Sequence, residues 1–240
     1  MKKNLIDLHT HSVLSKHAFS STTENIEYAH KLGLKVYGIS EHQNDEKGVG
    51  AHEYCFHNGP RIIPDYYEGM RVLKGVELNI LDGHFDISRI PMERQDYAIA
   101  SMHGYAYSTK HTYEENTANY LMACNTDYIK IIGHMDGSDF PCDYERIILE
   151  AKKNNKLIEF NNASLVPNSS RQGAKENDKI IFSLCKKYNV PIIINSDAHI
   201  KYDIGNFDRA FKLLEEIDFP DELIVNYDLD LLNKYIRIYK

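Results

Sequence analysis

Cysteine is scarce in this chain of 240 residues, and its four copies, Cys55, Cys124, Cys142 and Cys185, stand far apart with no CxxC pair. That spacing argues against a disulfide framework and for free thiols in a reducing compartment. Basic charge is not in excess either. Lys and Arg number 28 against 35 Asp and Glu, a net −7, so the chain carries no general basic footprint for nucleic acid. Long apolar runs are missing: no early segment suits a signal peptide and nothing approaches a membrane span, so the expected location is the cytoplasm, with no membrane partner. There is no internal repeat, low-complexity tract or Pro/Gly/Ser linker, which leaves a single domain over 1–240 as the expectation. Also absent are GxSxG, a Walker loop and a catalytic Cys-His context, so no protein nucleophile is evident.

What the chain does have is histidine, twelve copies, and their positions follow a pattern. Short apolar segments read as strands, and most of them run into a His, Glu, Asp or Asn. The first, within Asn4–His17, leads to His9-Thr-His11, with His17 six residues later. Lys35–Ser40 ends in Glu41-His42, Val72–Val76 in Glu77, Tyr97–Met102 in His103, and Tyr128–Ile132 in Gly133-His134. Leu157–Phe160 ends in Asn161-Asn162, and Pro191–Asn195 in Ser196-Asp197-Ala198-His199. Between them lie helical stretches: Thr22–Leu32 with a threonine cap and Gly33 as its stop, a weak one near Asp65–Met70, and others over Glu114–Ala123, Tyr144–Asn154 and Lys175–Tyr188. Gln43–Pro60 reads as a loop, and Asp82-Gly83 as a two-residue hairpin turn. Two C-terminal helices, Phe207–Glu216 and Leu229–Ile238, carry no comparable polar terminus and are expected to cap the outside.

Alternating strand and helix units predict an α/β fold with a parallel sheet. Closed into a barrel, such a sheet brings the C-terminal ends of all its strands to one face. His9, His11, His17, His42, Glu77, His103, His134, Asp197 and His199 would then be neighbours. Two histidines at i and i+2 on extended chain share a side, so His9 and His11 can converge. Nine donors exceed the four of one tetrahedral zinc, so a multinuclear site with Zn, Mn or Fe fits the imidazole and carboxylate set. Clustered cations can acidify a water to hydroxide and clamp phosphoryl oxygens. His30, His52, His57, His84 and His111 do not sit at strand ends and read as structural.

Asp7-Leu-His9-Thr-His11-Ser, Ser40-Glu-His42, Gly133-His134 and Ser196-Asp197-Ala198-His199, with Gly75-Val-Glu77 and Met102-His103 between them, closely resemble the motifs of the PHP (polymerase and histidinol phosphatase) superfamily over about residues 4–220. Asn161-Asn162-Ala163 and Ser170-Arg171-Gln172-Gly173 resemble the small stand-alone phosphatases of the YcdX type. The resemblance implies a distorted (β/α)7 barrel with three divalent metal ions, usually zinc, at the C-terminal ends of the strands. His9, His11, Glu77 and Asp197 would hold one ion, Glu77, His103 and His134 a second, and His17, His42 and His199 a third. Arg61 and Arg171 would orient the substrate phosphate, since a guanidinium grips phosphate oxygens in bidentate fashion. Asp7 and Asn162 would steady the ligands.

The implied activity is hydrolysis of a small phosphate monoester by a metal-bound hydroxide, with phosphate or another oxyanion at the metals. The alternatives are a histidinol-phosphate phosphatase, a phosphodiesterase or exonuclease of PHP type, and a metal-binding module without turnover. Two departures from the family pattern, Gly104-Tyr105 after His103 and Met135-Asp136 after His134, bear on the fit of the substrate.

Overall fold

The structure, a computed structural model, describes residues 4–43, 50–107 and 109–239. In chain order, β1 (Ile6–Asp7) leads to α1 (Thr22–Leu32), β2 (Val36–His42) and α2 (Glu53–Ile62). A hairpin follows, from β3 (Tyr66–Tyr67) to β4 (Met70–Asn79). Then come β5 (Tyr97–Ser101), α3 (Tyr113–Cys124), β6 (Ile129–Ile132), α4 (Tyr144–Lys153), β7 (Leu157–Asn161) and α5 (Ala174–Tyr188). The chain ends with β8 (Ile192–Asn195), α6 (Asp208–Glu216) and α7 (Leu229–Asn233). Among the described residues, β1, β2, β4, β5, β6, β7 and β8 form a parallel sheet in that order, with β3 paired antiparallel to β4.

Ile6, Val36, Leu73, Tyr97, Ile131, Leu157 and Ile193, one from each of the seven parallel strands, belong to a single buried cluster. Only a sheet rolled nearly into a barrel lets all seven meet. Strand alternation then points the next inward positions up the axis: Gly75, Glu77 and Asn79 follow Leu73 on β4, and Glu159 and Asn161 follow Leu157 on β7. The interior is thus an apolar floor below a polar top. Tyr97 bridges the two, its hydroxyl donating to the Leu8 carbonyl at 2.5 Å. A Cβ on Gly38 or Gly75 would collide with it.

Several expectations are corrected. Asp65–Met70 is no helix: Glu68 (φ 46°) and Gly69 (φ 85°) make a two-residue turn of the left-handed kind that joins β3 to β4. The loop expected over Gln43–Pro60 contains α2, capped by the His52 side chain, while its stretch 44–49 lies outside the described residues. The cap of α1 is Ser21 rather than a threonine, in a reciprocal capping box with Glu24. Among the described residues the β4–β5 crossover has a hairpin bridge and a single 3-10 turn (Met92–Arg94) where a helix would complete the repeat. Finally, the helix expected over Leu229–Ile238 stops at Asn233, and the stretch does not sit outside: Leu232 on α7, and Ile236 and Ile238 beyond it, pack into the floor cluster.

Candidate metal centre

Glu77 sits near the end of β4, on the inward register, and is buried. Its Oε1 lies 3.0 Å from His134 Nε2 and 3.3 Å from His103 Nε2. Its Oε2 lies 2.8 Å from His42 Nδ1, 3.2 Å from His9 Nε2 and 3.6 Å from His11 Nε2. One carboxylate therefore faces five imidazoles, two on one oxygen and three on the other. Asp197 closes the far side, with Oδ1 3.1 Å from His11 Nε2 and 3.5 Å from His9 Nε2. His199 and His17 bring their Nε2 atoms to 2.7 Å of each other, and the His199 ring stands 4.5 Å from that of His11. All nine strand-end residues expected to act together are thus gathered at one face.

Local backbone supports this arrangement. β1 ends at Asp7, so His9 and His11 converge from extended chain beyond the strand, pinned where Thr10 bridges Ala198 and its carbonyl accepts from the Ser40 N–H at 2.9 Å. Lys16, at φ 68°, turns the chain so that His17 reaches back over the cluster. Asp197 itself has φ 53°, a conformation a non-glycine residue adopts at some cost and one that recurs at functional sites.

Outer partners hold these groups. Glu159, on β7 and buried, accepts from His9 Nδ1 at 2.7 Å, from the His134 N–H at 3.0 Å and from Asn195 Nδ2 at 2.8 Å. The first bond fixes the His9 tautomer so that Nε2 faces Glu77. Asn79 Oδ1 does the same for His103 Nδ1 at 2.8 Å. Glu41 receives Ser12 N–H and both the Ser12 and Ser15 hydroxyls, which ties down the loop between His11 and His17. Asp7 accepts from Ser196 and from the backbone N–H groups of Gly205 and His9 rather than from a histidine ring, and so anchors the segment carrying Asp197 and His199. Burial raises the Asp7 carboxyl to about 6 despite those bonds.

Sequence reading missed Glu159, although a charged residue inside the apolar run Leu157–Phe160, on the inward register, is a readable signal. Asn162 was expected beside the ligands, but its Oδ1 accepts the Arg209 and Ala210 N–H groups and caps α6. Arg171 reaches the centre: Nη2 donates to Asp197 Oδ2 at 3.2 Å and Nη1 to Ser164 Oγ at 3.4 Å. Arg61 is exposed in the last turn of α2, and among the described residues no hydrogen bond or ion pair joins it to the cluster.

Electrostatics show what the cluster lacks. Burial alone would push Glu77 and Asp197 up, yet the facing imidazoles, with Arg171 for Asp197, hold both carboxyls well below their ordinary range. Burial alone would push His9 down, yet Glu159, Glu77 and Asp197 raise it well above the usual imidazole value. His11 is lowered by burial and by the neighbouring His42 and His199 rings. Buried polar atoms normally find partners. Here His9 Nε2, His11 Nδ1, both ring nitrogens of His42 and Glu77 Oε2 are buried and make no hydrogen bond of proper geometry among the described residues, close as His42 and His9 come to Glu77 Oε2. Three sets have donor atoms within 4.8 Å of one another: His9, His11 and Glu77; His42, Glu77 and His103; His11, His42 and His199. Orphaned nitrogens and carboxylate oxygens converging in this way fit divalent cations.

The other histidines lie elsewhere: His30 faces Glu68, His52 caps α2, and His111 pairs with Asp82 at 2.8 Å. Among the described residues, no helix is long and apolar enough to cross a membrane.

Comparison with known proteins agrees with the fold. A protein described as a probable phosphatase of Acetivibrio thermocellus is 38% identical over 238 residues, 98% of this chain and 96% of that one. One from Clostridium acetobutylicum is 40% identical over 237 residues, covering 98% and 95%. Among solved structures, the histidinol phosphate phosphatase of Lactococcus lactis, complexed with zinc, L-histidinol and phosphate, superposes with a TM-score of 0.61 at 17% identity, over 90% of this chain and 95% of that one. A Listeria monocytogenes structure gives 0.60 at 18% identity, over 85% and 98%. The family model described as the PHP domain matches residues 7–227, and the chain belongs to that family.

Proposed function

We propose that this protein is a metal-dependent phosphatase that hydrolyses a small phosphate monoester at a site for three divalent ions, formed by the nine strand-end residues. The observation that carries the reading is Glu77, whose two oxygens divide five imidazoles between them, as a carboxylate shared by two cations would. Relatives spanning nearly the whole chain and described as probable phosphatases support it. So does a solved structure of the same fold that holds zinc and phosphate.

The bound cations, zinc first and manganese or iron as alternatives, would supply an acidified water and neutralise phosphoryl oxygens. The chain's own residues do the rest. Glu159 and Asn79 present His9 and His103 in one tautomer, so that Nε2 of each faces inward. Arg171, held by Asp197 and Ser164, keeps part of its fork free to grip a phosphate oxygen. Arg61, exposed in the last turn of α2, is the second cation expected to meet the phosphate, and Arg61→Gln in the assay below tests that role.

The test is turnover of p-nitrophenyl phosphate by protein of measured metal content. Phosphate release is expected from the loaded protein. It should be lost on chelation and restored by Zn or Mn. Asp197→Asn and His9→Gln should each lower kcat/KM by more than about 100-fold, beyond the roughly 10–100-fold that changes to outer partners cost. Turnover that survives chelation, or both substitutions, would refute the reading. L-histidinol phosphate belongs in the same assay: a kcat/KM well above that for the aryl ester would make the specific phosphatase the better description.

A further inference from the structure

Beside the metal centre, on the same face of the barrel, lies a cavity of about 420 Å3 between the β7–α5 connection and α6. Arg171 belongs to both: it lines the cavity and donates to Asp197. In a chain of net charge −7 the cationic lining is unusual. Arg171, Lys175, Arg209 and Lys212 line it together with Glu176 and Glu216. Glu216 is taken up by Lys175 at 3.7 Å and by Lys179 at 3.1 Å. The side chains of Arg209 and Lys212 have no hydrogen bond or salt bridge among the described residues, and Lys212 acts on Glu216 only through its charge. The first turn of α5 also opens on this cavity, with Gly173 at its cap supplying no side-chain acceptor.

We propose that this cavity is the subsite for a second anionic group on the substrate, a carboxylate or a further phosphate carried by the leaving group. The inference rests on the phosphatase reading and narrows it to esters that carry a second anionic group. Arg209 and Lys212 hold the distal anion, and Arg171 stands between the two ends of the molecule. Arg209 is half-buried and Lys212 exposed at the cavity mouth, and α6 fixes both side chains one turn apart on the rim, where each can give a bound anion a charge-assisted hydrogen bond. The Asn162 cap bonds only the backbone of Arg209, so its guanidinium is available to a ligand.

Two substrate pairs test this on the metal-loaded protein: glycerol 3-phosphate against 3-phosphoglycerate, and fructose 6-phosphate against fructose 1,6-bisphosphate. The member with the extra anion should be preferred in kcat/KM by about tenfold or more in at least one pair, the scale of one charge-assisted hydrogen bond. The first pair reports a carboxylate, the second a phosphate. The Arg209→Gln, Lys212→Gln double variant should abolish that preference through KM while turnover of p-nitrophenyl phosphate stays within about twofold. No preference in either pair, or an equal loss on every substrate, overturns the subsite. If the aryl ester itself is not hydrolysed, it is the phosphatase reading that fails.

Discussion

Glu159 shows how much of the candidate metal centre depends on a residue that points its charge at His9. Buried on β7, it receives His9 Nδ1, the His134 N–H and the amide of Asn195. The facing His9 and His134 rings hold its carboxyl below the ordinary value against the effect of burial. Replacing it with glutamine keeps an acceptor for one donor but presents an amide N–H2 to the others and removes the negative charge behind His9. Glu159→Gln should therefore weaken zinc binding by about 10–100-fold. Metal titration with a competing chelator reads this directly, and an affinity unchanged within about twofold would show that His9 needs no such support. The strand-end residues that gather in the cluster were legible because most of them follow an apolar run. Glu159 was hidden because the same logic credits only the last residue of a strand.

At the scale of elements, α1 and the segment after β8 are tied through Glu24. Its carboxylate accepts the Ser21 N–H and hydroxyl, both at 2.9 Å, and pairs with Lys201 at 3.1 Å, two residues past His199. These contacts, the Ser21 backbone first, lower its carboxyl from 4.5 to about 2. A depressed carboxyl contributes stability in full above its unfolded value and loses it as pH falls through the folded one. Glu24→Gln should lower the melting temperature of the metal-free protein at about pH 7, and the gap to the native protein should narrow as pH drops below about 4.5 toward about 3. Scanning calorimetry at the two pH values decides it, and a gap of constant size would contradict the linkage. The capping box could be read one residue away, since Thr22-Thr23-Glu24 marked the helix start correctly. The β3–β4 hairpin could not: its turn is Glu68-Gly69, with glutamate in a left-handed position that asparagine or aspartate usually takes. Tertiary pairing with β4, not local propensity, decides that segment.

The whole barrel depends on a seam that periodicity does not reveal. Strands could be counted from the sequence and their polar ends assigned to one face, but not how the first strand meets the last. β1 and β8 form no ladder with each other; they stand at opposite ends of the sheet order. The gap is closed by Asn226, buried just before α7. Its Oδ1 accepts the Ile194 N–H at 2.8 Å, while Nδ2 donates to the carbonyls of Ile194 at 2.7 Å and Ile6 at 2.9 Å. Its own carbonyl accepts the Leu5 N–H at 2.9 Å. One side chain thus stands in for a stretch of missing ladder. Higher up, Asn195 Oδ1 takes the Leu8 N–H and the Ala198 carbonyl takes the His11 N–H, each at 2.9 Å. The contact between His11 and Asp197 spans this same seam. Asn226→Ala strands a buried N–H and two carbonyls, and at about 1–3 kcal/mol for each unsatisfied group it should destabilise the metal-free protein by about 3 kcal/mol. Asn226→Asp should fare little better, because it keeps the acceptor for Ile194 but sets a carboxylate against two carbonyls. Because His9 and His11 follow β1 while Asp197 and His199 follow β8, Asn226→Ala should also lower zinc affinity, with no substituted atom touching the candidate metal centre. Chemical denaturation and zinc titration on the same preparation separate the two effects: stability lost with affinity intact would mean that the upper bonds of the seam alone set the distance from His11 to Asp197.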